Sequence, residues 1–376
     1  MSLRFDATSG IGTLESTREA GSDRFRFRCP ECGSKAFSAG SDLLCPAEGR
    51  RLAGNEGVLP LMRAERVKAK APFLDAYRRI RRSEGWGGAA DYYRALPFAS
   101  EGQNRAVWKI RARSYRRALR AIARRFPEVK QADEWDKLAL RILEVGAGNG
   151  WFSWRMAQAG HYVLATDISL DEEDGLGAVS RYARPGIAHF DRLTRALAEM
   201  EDLPLEDAQF DLVVANGSLH YAGRIRDAVR EAHRVLRPGG LFLVLDSPVY
   251  DESEPGREMV RRRQEHHREL GIPDAAATAG FLVERDFVAL SAGVGFQVEI
   301  LYSFEGFPRR LRRAYCRLRR AAPPARFPLF ALEKRERSEP GREEAAAAFG
   351  SGRGNPAVLP ERGARGASRA KSEGEQ

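Results

Sequence analysis

The sequence predicts an α/β fold built on a doubly wound sheet, and three observations carry that expectation. Residues Ile142 to Phe152 read as a buried strand, a glycine-rich turn and the start of a helix. Residues His161 to Asp167 read as a second short strand ending in an acid. From residue 139 to 334, apolar strand patterns alternate with helical ones.

In chain order, residues 1–22 are polar and glycine-rich and read as a loose leader. Residues 23–62 form a cysteine-bearing segment. Cys29-Pro30-Glu31-Cys32 makes a knuckle and Cys45-Pro46 begins a second. A structural zinc site needs four ligands at tetrahedral corners. No Cys or His stands at the fourth position, and Glu48, three residues after Cys45, is the candidate to complete it. Without metal these cysteines serve as small buried hydrophobes.

Residues 63–135 read as helices. Tyr115, Leu119, Ile122 and Phe126 recur at steps of four and three and predict one apolar face. Arg113, Arg116, Arg117, Arg120 and Arg124 cover the rest of that helix, as a solvated face or an RNA-facing stripe. Tyr92, Tyr93, Phe98 and Trp108 make the segment aromatic, most of them as core and one or two as pocket lining. Residues 136–334 form the sheet domain, with strands near 140–145, 162–166, 197–200, 211–215, 240–246, 296–303 and 327–333. Between the fifth and sixth strands, residues 251–290 read as helices carrying Glu265-His266-His267. Residues 335–376 have few apolar anchors and read as disordered.

The chemistry starts at the turn. Gly146, Gly148 and Gly150 have the spacing G-x-G-x-G, which lets the backbone turn sharply and approach a ligand without a Cβ in the way. The dinucleotide fingerprint would need glycine at 151, where Trp151 stands. Asp167, at the end of the second strand, can accept hydrogen bonds from both ribose hydroxyls of a nucleoside bound over the first turn.

Read together, Leu143 to Gly150 with Asp167, Glu199-Met200-Glu201-Asp202-Leu203-Pro204, Phe210 to Asn216, and Ala232 to Asp246 resemble, in order, the motifs of class I S-adenosylmethionine-dependent methyltransferases. The broad type-11 group is the nearest resemblance. The resemblance implies a mostly parallel, seven-stranded, Rossmann-like sheet whose last two strands are antiparallel, and a helical lid that covers the donor. It implies donor contacts from Glu144, Gly146, Ala147, Gly148, Gly150, Asp167 and Asn216. Ile168 would pack on adenine, and Glu199 or the Met200 backbone would meet the adenine edge. The cysteine segment resembles the small zinc ribbon that precedes some methyltransferase domains, including a bacterial ribosomal-RNA guanine methyltransferase; Cys29, Cys32, Cys45 and Glu48 would be its ligands.

Methyl transfer from a sulfonium is an in-line displacement with an activated donor, so no metal or covalent nucleophile is required. The acceptor belongs beyond the carboxyl ends of the central strands. There His220 and Tyr221 are the candidate acid or base, and Asp246 and Tyr250 are candidates for binding.

Composition bounds the rest. At 43% hydrophobic the chain can build a core, and no apolar run approaches a membrane span. Met1 to Gly12 lack the features of a signal peptide, and four cysteines do not make a disulfide scaffold, so a cytoplasmic protein is expected. The net charge of +10 is interleaved with acids. A small-molecule acceptor is the leading expectation. An RNA acceptor and a donor-binding partner protein without turnover are the rivals, and the oligomeric state stays open.

Overall fold

In this computed structural model the chain is described over residues 24–99, 101–130, 139–183, 190–272, 280–302 and 323–335. The expected leader, and the expected tail beyond Arg335, lie outside the described residues.

The cysteine segment is an antiparallel sheet of β1 (Phe27–Arg28), β2 (Lys35–Ala39), β3 (Asp42–Cys45) and β4 (Arg50–Leu52). Its inward residues Phe25, Phe27, Cys29, Leu43 and Cys45 are buried in the same cluster as the main sheet. Phe25 stacks on Phe210 at 5.6 Å. The chain then adds β5 (Val58–Pro60) to the main sheet before entering the helices α1 (Ala64–Ser83), α2 (Ala90–Ala95) and α3 (Arg105–Arg125).

The alternation continues as expected: β6 (Arg141–Val145), α4 (Trp151–Gln158), β7 (Tyr162–Asp167), β8 (Leu193–Leu197), β9 (Phe210–Asn216), α5 (Ile225–Val235) and β10 (Leu236–Leu245). A short parallel pair, β11 (Val249–Tyr250) and β12 (Leu282–Val283), brackets α6 (Ser253–Glu269). Then come α7 (Glu284–Val294), β13 (Phe296–Leu301) and β14 (Leu329–Lys334).

The main sheet runs β13-β14-β10-β9-β6-β7-β8-β5. Strands β5 to β10 in it pair in parallel, and β14 is antiparallel to both β10 and β13. The seven expected strands are present, and β5 makes an eighth at the edge. The third lies at 193–197 rather than 197–200. Its Thr-Arg-Ala alternation hid it, because Arg195 spends its guanidinium on the carbonyls of Leu176 and Glu56 at the sheet edge.

Strand residues alternate between two buried faces, as parallel sheets require. Ile142 faces the cluster that holds Tyr115, Ile122, Trp151, Phe152 and Trp154 from α3 and α4. Leu143 and Val145 face α5, Phe287 of α7 and the cysteine sheet. On α3, Tyr115, Ile122 and Phe126 are buried as expected, but Leu119 is 37% exposed. Ala118 and Ala121 take its place because the helix lies close over β10 and β14, where only small side chains fit. Tyr93 and Trp108 are core, whereas Phe98 is exposed under the Arg116 and Arg155 guanidiniums.

Helix α1 crosses the carboxyl ends of the strands. Arg66 and Lys70 pair with Glu199, Arg78 with Asp171, and Arg81 with Asp174.

Candidate active site

The carboxyl ends of β6, β7, β9 and β10 converge under α1 and α3. The turn after β6 has Gly146, Gly148 and Gly150 at φ +67°, +54° and +72°, a region other residues adopt at a cost. Two of these glycines are also demanded by packing. A Cβ on Gly146 would lie 2.4 Å from Ser218 Cβ, and one on Gly150 2.6 Å from Val179 Cγ2. At Gly148 the nearest atom to such a Cβ would be the Asp174 carbonyl oxygen, 3.7 Å away. The space over Gly148 is therefore open on one side, as a ligand cradle requires. Ala147 is buried, its N–H donating to the Thr166 carbonyl at 2.9 Å.

Asp167 closes this cradle. Its Oδ2 accepts the Gly148 N–H at 2.8 Å and its Oδ1 the Ser169 N–H at 2.8 Å. Each oxygen keeps a further lone pair for a ligand hydroxyl. Burial pushes this carboxyl up to about 6, against the pull of those two backbone N–H groups.

Next to Asp167, Ile168 and Leu197 line a cavity of about 450 Å³ whose other wall includes Val67 and Leu74 of α1. Arg78, Arg82, Asp171, Glu173 and Arg181 also line it, so an apolar wall faces a charged rim, and the size suits a nucleoside. Glu199 is not among its lining residues. Its carboxylate is clasped by Arg66 through two 2.7 Å hydrogen bonds and by Lys70 at 3.0 Å. Burial would raise its pKa, but these cations hold it below the usual range. The Glu199 carboxylate thus ties α1 to the segment after β8. Met200 packs against the turn, its Cε 3.3 Å from where a Gly146 Cβ would sit.

Glu144 also turns inward. Its Oε2 accepts the Ser153 N–H at 3.0 Å and the Ser153 hydroxyl at 2.5 Å. Burial pushes the carboxyl up to about 8, with Ser153 and Asn216 pulling the other way. Glu144 therefore ties β6 to the first turn of α4, and its link to the cradle runs through Asn216.

On the other side of the turn, Asn216 ends β9 and its Oδ1 is buried without a partner. A short turn over Leu219–Tyr221 follows. His220 is buried, with Nδ1 3.1 Å from Ser247 Oγ and its ring 4.5 Å from that of Tyr221. Burial, with Arg263 and Arg111 nearby, drops its pKa to about 3. The imidazole is therefore neutral near neutral pH. Tyr221 meets Tyr77 of α1 edge-on at 5.7 Å.

Asp246, just past β10, has φ +54°. Its Oδ1 accepts the Ser114 hydroxyl at 2.6 Å, while Oδ2 is buried without a partner. Sequence reasoning passed over Tyr77, Arg81, Arg111, Ser114 and Asp174, which come from helices and a loop without a motif. Asp174 pairs with Arg81 and lies 3.5 Å from Asn149 Nδ2.

Apart from this site, the thiols of Cys29, Cys32 and Cys45 and a carboxylate oxygen of Glu48 all lie within 4.8 Å of one another. Ligands about 2.3 Å from a tetrahedral zinc sit roughly 3.8 Å apart, so a small inward shift suits the ion. All three cysteines are free thiols, and Glu48 also lies 3.7 Å from Arg50.

Comparisons with known proteins bear on the sheet. Residues 143–244 match a family model described as a methyltransferase domain. The chain is 35% identical over 153 residues to 27-O-demethylrifamycin SV methyltransferase of Amycolatopsis mediterranei, covering 36% of this chain and 55% of that protein. It is 32% identical over 146 residues to malonyl-[acyl-carrier protein] O-methyltransferase of Erwinia pyrifoliae, covering 38% and 52%. The chain thus spans about half the length of these curated relatives. Among solved structures, Haemonchus contortus phosphoethanolamine N-methyltransferase 2 with S-adenosyl-L-methionine aligns with TM-score 0.39 and 16% identity, covering 53% of this chain and 49% of that one.

Proposed function

We propose that this chain, whose sheet domain is a class I S-adenosylmethionine-dependent methyltransferase domain, catalyses methyl transfer from that donor to a small-molecule acceptor. The observation that carries the reading is the junction of the open turn at Gly148 with the doubly hydrogen-bonded Asp167, beside a cavity whose wall includes Ile168 and Leu197. The match over residues 143–244 supports it, as do relatives named for a rifamycin and a malonyl-carrier acceptor.

When bound, the donor supplies a methyl group on a positively charged sulfur. The chain's own residues then have to bind, align and exclude water. Asp167 takes the ribose hydroxyls on its free lone pairs. Ile168 and Leu197 pack on the purine, and the Met200 backbone meets its edge. The turn from Gly146 to Gly150 lies along the methionyl part. Helix α1, fastened through Glu199, Asp171 and Asp174, forms one wall of the cavity. His220 and Tyr221 line the acceptor side: His220, neutral and buried, fixes shape and hydrogen bonding rather than moving a proton.

The cysteine centre holds zinc, in this reading, through Cys29, Cys32, Cys45 and Glu48. Its place is structural, because four protein ligands leave no open position for chemistry.

Titration calorimetry tests the donor. The protein is expected to bind S-adenosylmethionine and S-adenosylhomocysteine and not NAD. Asp167→Ala should weaken both by roughly 1–3 kcal/mol, the usual cost of stranding hydrogen-bond partners. Binding of NAD alone would end the reading.

A further inference from the structure

Helix α6 spans the acceptor side of the site and is tied down at both ends. Near its start, a Cβ on Gly256 would run into the Phe281 ring, and that ring meets Tyr250 edge-on at 5.7 Å. The neighbouring Gly280 N–H donates to the His220 carbonyl at 2.7 Å. Past the end of the helix, the Ile272 N–H donates to the His267 carbonyl at 2.9 Å. Ile272 then packs with Ala76 and Ile80 of α1, the helix that brings Tyr77 against Tyr221. The middle of α6 therefore crosses the gap between Tyr250 and α1, where His220 and Tyr221 lie.

Helical spacing decides which α6 side chain looks into that gap. Gly256 and His267 are the buried residues of the helix. Arg263 stands two turns after Gly256 and one turn before His267, on the same face, and is half-buried. Burial acts most on the pKa of His220, Tyr250 and His267, and the Arg263 charge comes second at all three. None of the three is an anion near neutral pH: the imidazoles are held below their usual range and the phenol above its own.

The acids in reach are spent elsewhere. Arg261 and Arg262, on the outer side of α6, pair with Glu258. Glu84, which acts on His267, accepts from Trp86 Nε1 at 2.8 Å and Arg81 at 3.4 Å. Asp246 accepts from Ser114, and the cations that act on it are Arg111 and Arg117. Among the described residues Arg263 forms no ion pair. A guanidinium half-buried in this way gives up water without gaining a charge-assisted bond, and an anion in the gap would supply one.

We infer that the small-molecule acceptor carries an anionic group, a carboxylate or a phosphate, and that Arg263 on the inner face of α6 receives it. This rests on the methyl-transfer reading given above. The planar guanidinium offers two parallel N–H donors to either anion. Held at Arg263, the acceptor is directed past Tyr250 and His220 towards the glycine turn. Arg263 is thus a specificity residue: it holds one end of the acceptor and leaves the donor alone. It lies outside residues 143–244, the segment matched by the methyltransferase model, so the selectivity comes from this chain's own insertion between β10 and β13.

The test uses the full chain, methyl-labelled S-adenosylmethionine and the small molecules of a bacterial extract, split on a strong anion exchanger at neutral pH. Wild type is expected to label the retained, anionic fraction. At limiting extract, Arg263→Gln should transfer about 10- to 100-fold less label, and more extract should restore the rate, as lost acceptor binding requires. Its affinity for S-adenosylhomocysteine and its melting temperature should match wild type, and Arg263→Lys should recover part of the loss. Phosphatase treatment of the retained fraction separates the two anions: it abolishes labelling of a phosphate acceptor and spares a carboxylate. Label only in the unretained fraction would overturn the inference, as would wild-type transfer by Arg263→Gln. So would a variant that loses S-adenosylhomocysteine affinity as steeply as transfer, which marks a structural role. A wild-type protein that labels neither fraction overturns the methyl-transfer reading itself, and this inference with it.

Discussion

His220 stands where sequence reasoning puts a proton acceptor, yet burial changes what the imidazole can do. Its pKa near 3 means the ring is neutral throughout the range where an enzyme works. The same shift has a consequence for stability. A His whose folded-state pKa is depressed contributes stability that is present above its unfolded pKa, about 6.5, and is lost as pH falls towards 3. Between pH 5 and 8, His220→Gln should leave donor affinity and the shape of the pH–rate profile unchanged. Its melting temperature should fall less steeply than that of wild type as pH drops below 6.5. A wild-type rate that declines below pH 6.5 and becomes flat in the variant would restore His220 as a base. Glu144 and Glu199 make the same point: each belongs to a recognised motif, but one is spent on Ser153 and the other on Arg66 and Lys70. Residue type was legible in the sequence; the partner that consumes it was not.

Among the elements, those with a backbone demand were readable and those set by tertiary partners were not. The turn from Gly146 to Gly150 needs three left-handed residues, and glycine spacing reveals it. The strands Arg141–Val145 and Phe210–Asn216 are buried on both faces and read as apolar runs. By contrast, β8 carries arginine inside the strand, and β5 is three residues paired with β8 at the sheet edge. Likewise the buried face of α3 is chosen by where the helix can approach the sheet, which put alanines where Leu119 was expected. The turn also offers an energetic test. Gly150→Ala would place a methyl group 2.6 Å from Val179 Cγ2 at φ +72°. We expect a loss of about 1–3 kcal/mol in chemical denaturation, with weakened donor binding because the start of α4 must shift. Wild-type stability in that variant would show that the turn is softer than its contacts imply.

For the whole molecule, the cysteine sheet is continuous with the main sheet rather than an appendage. Arg28 donates to the Pro204 carbonyl, Phe27 bridges Leu205, and the next strand extends the main sheet. If zinc occupies the four-ligand centre, its removal should be felt by the entire domain. A chelator is expected to lower the melting temperature of the sheet domain and release about one zinc per chain. Absence of zinc by elemental analysis, with full stability in Cys45→Ala, would contradict a metal role. Helix α3 carries arginines and one lysine without an acid among them, and no helix among the described residues is long and apolar enough to cross a membrane.

Methyl transfer to small molecules can be followed with the label of methyl-labelled S-adenosylmethionine. Wild-type and Asp167→Ala protein are incubated with the labelled donor and a bacterial extract divided into small-molecule and RNA fractions. Label is expected in the small-molecule fraction with wild type and little with the variant. Label confined to RNA, or tight donor binding with no transfer to either fraction, would contradict it.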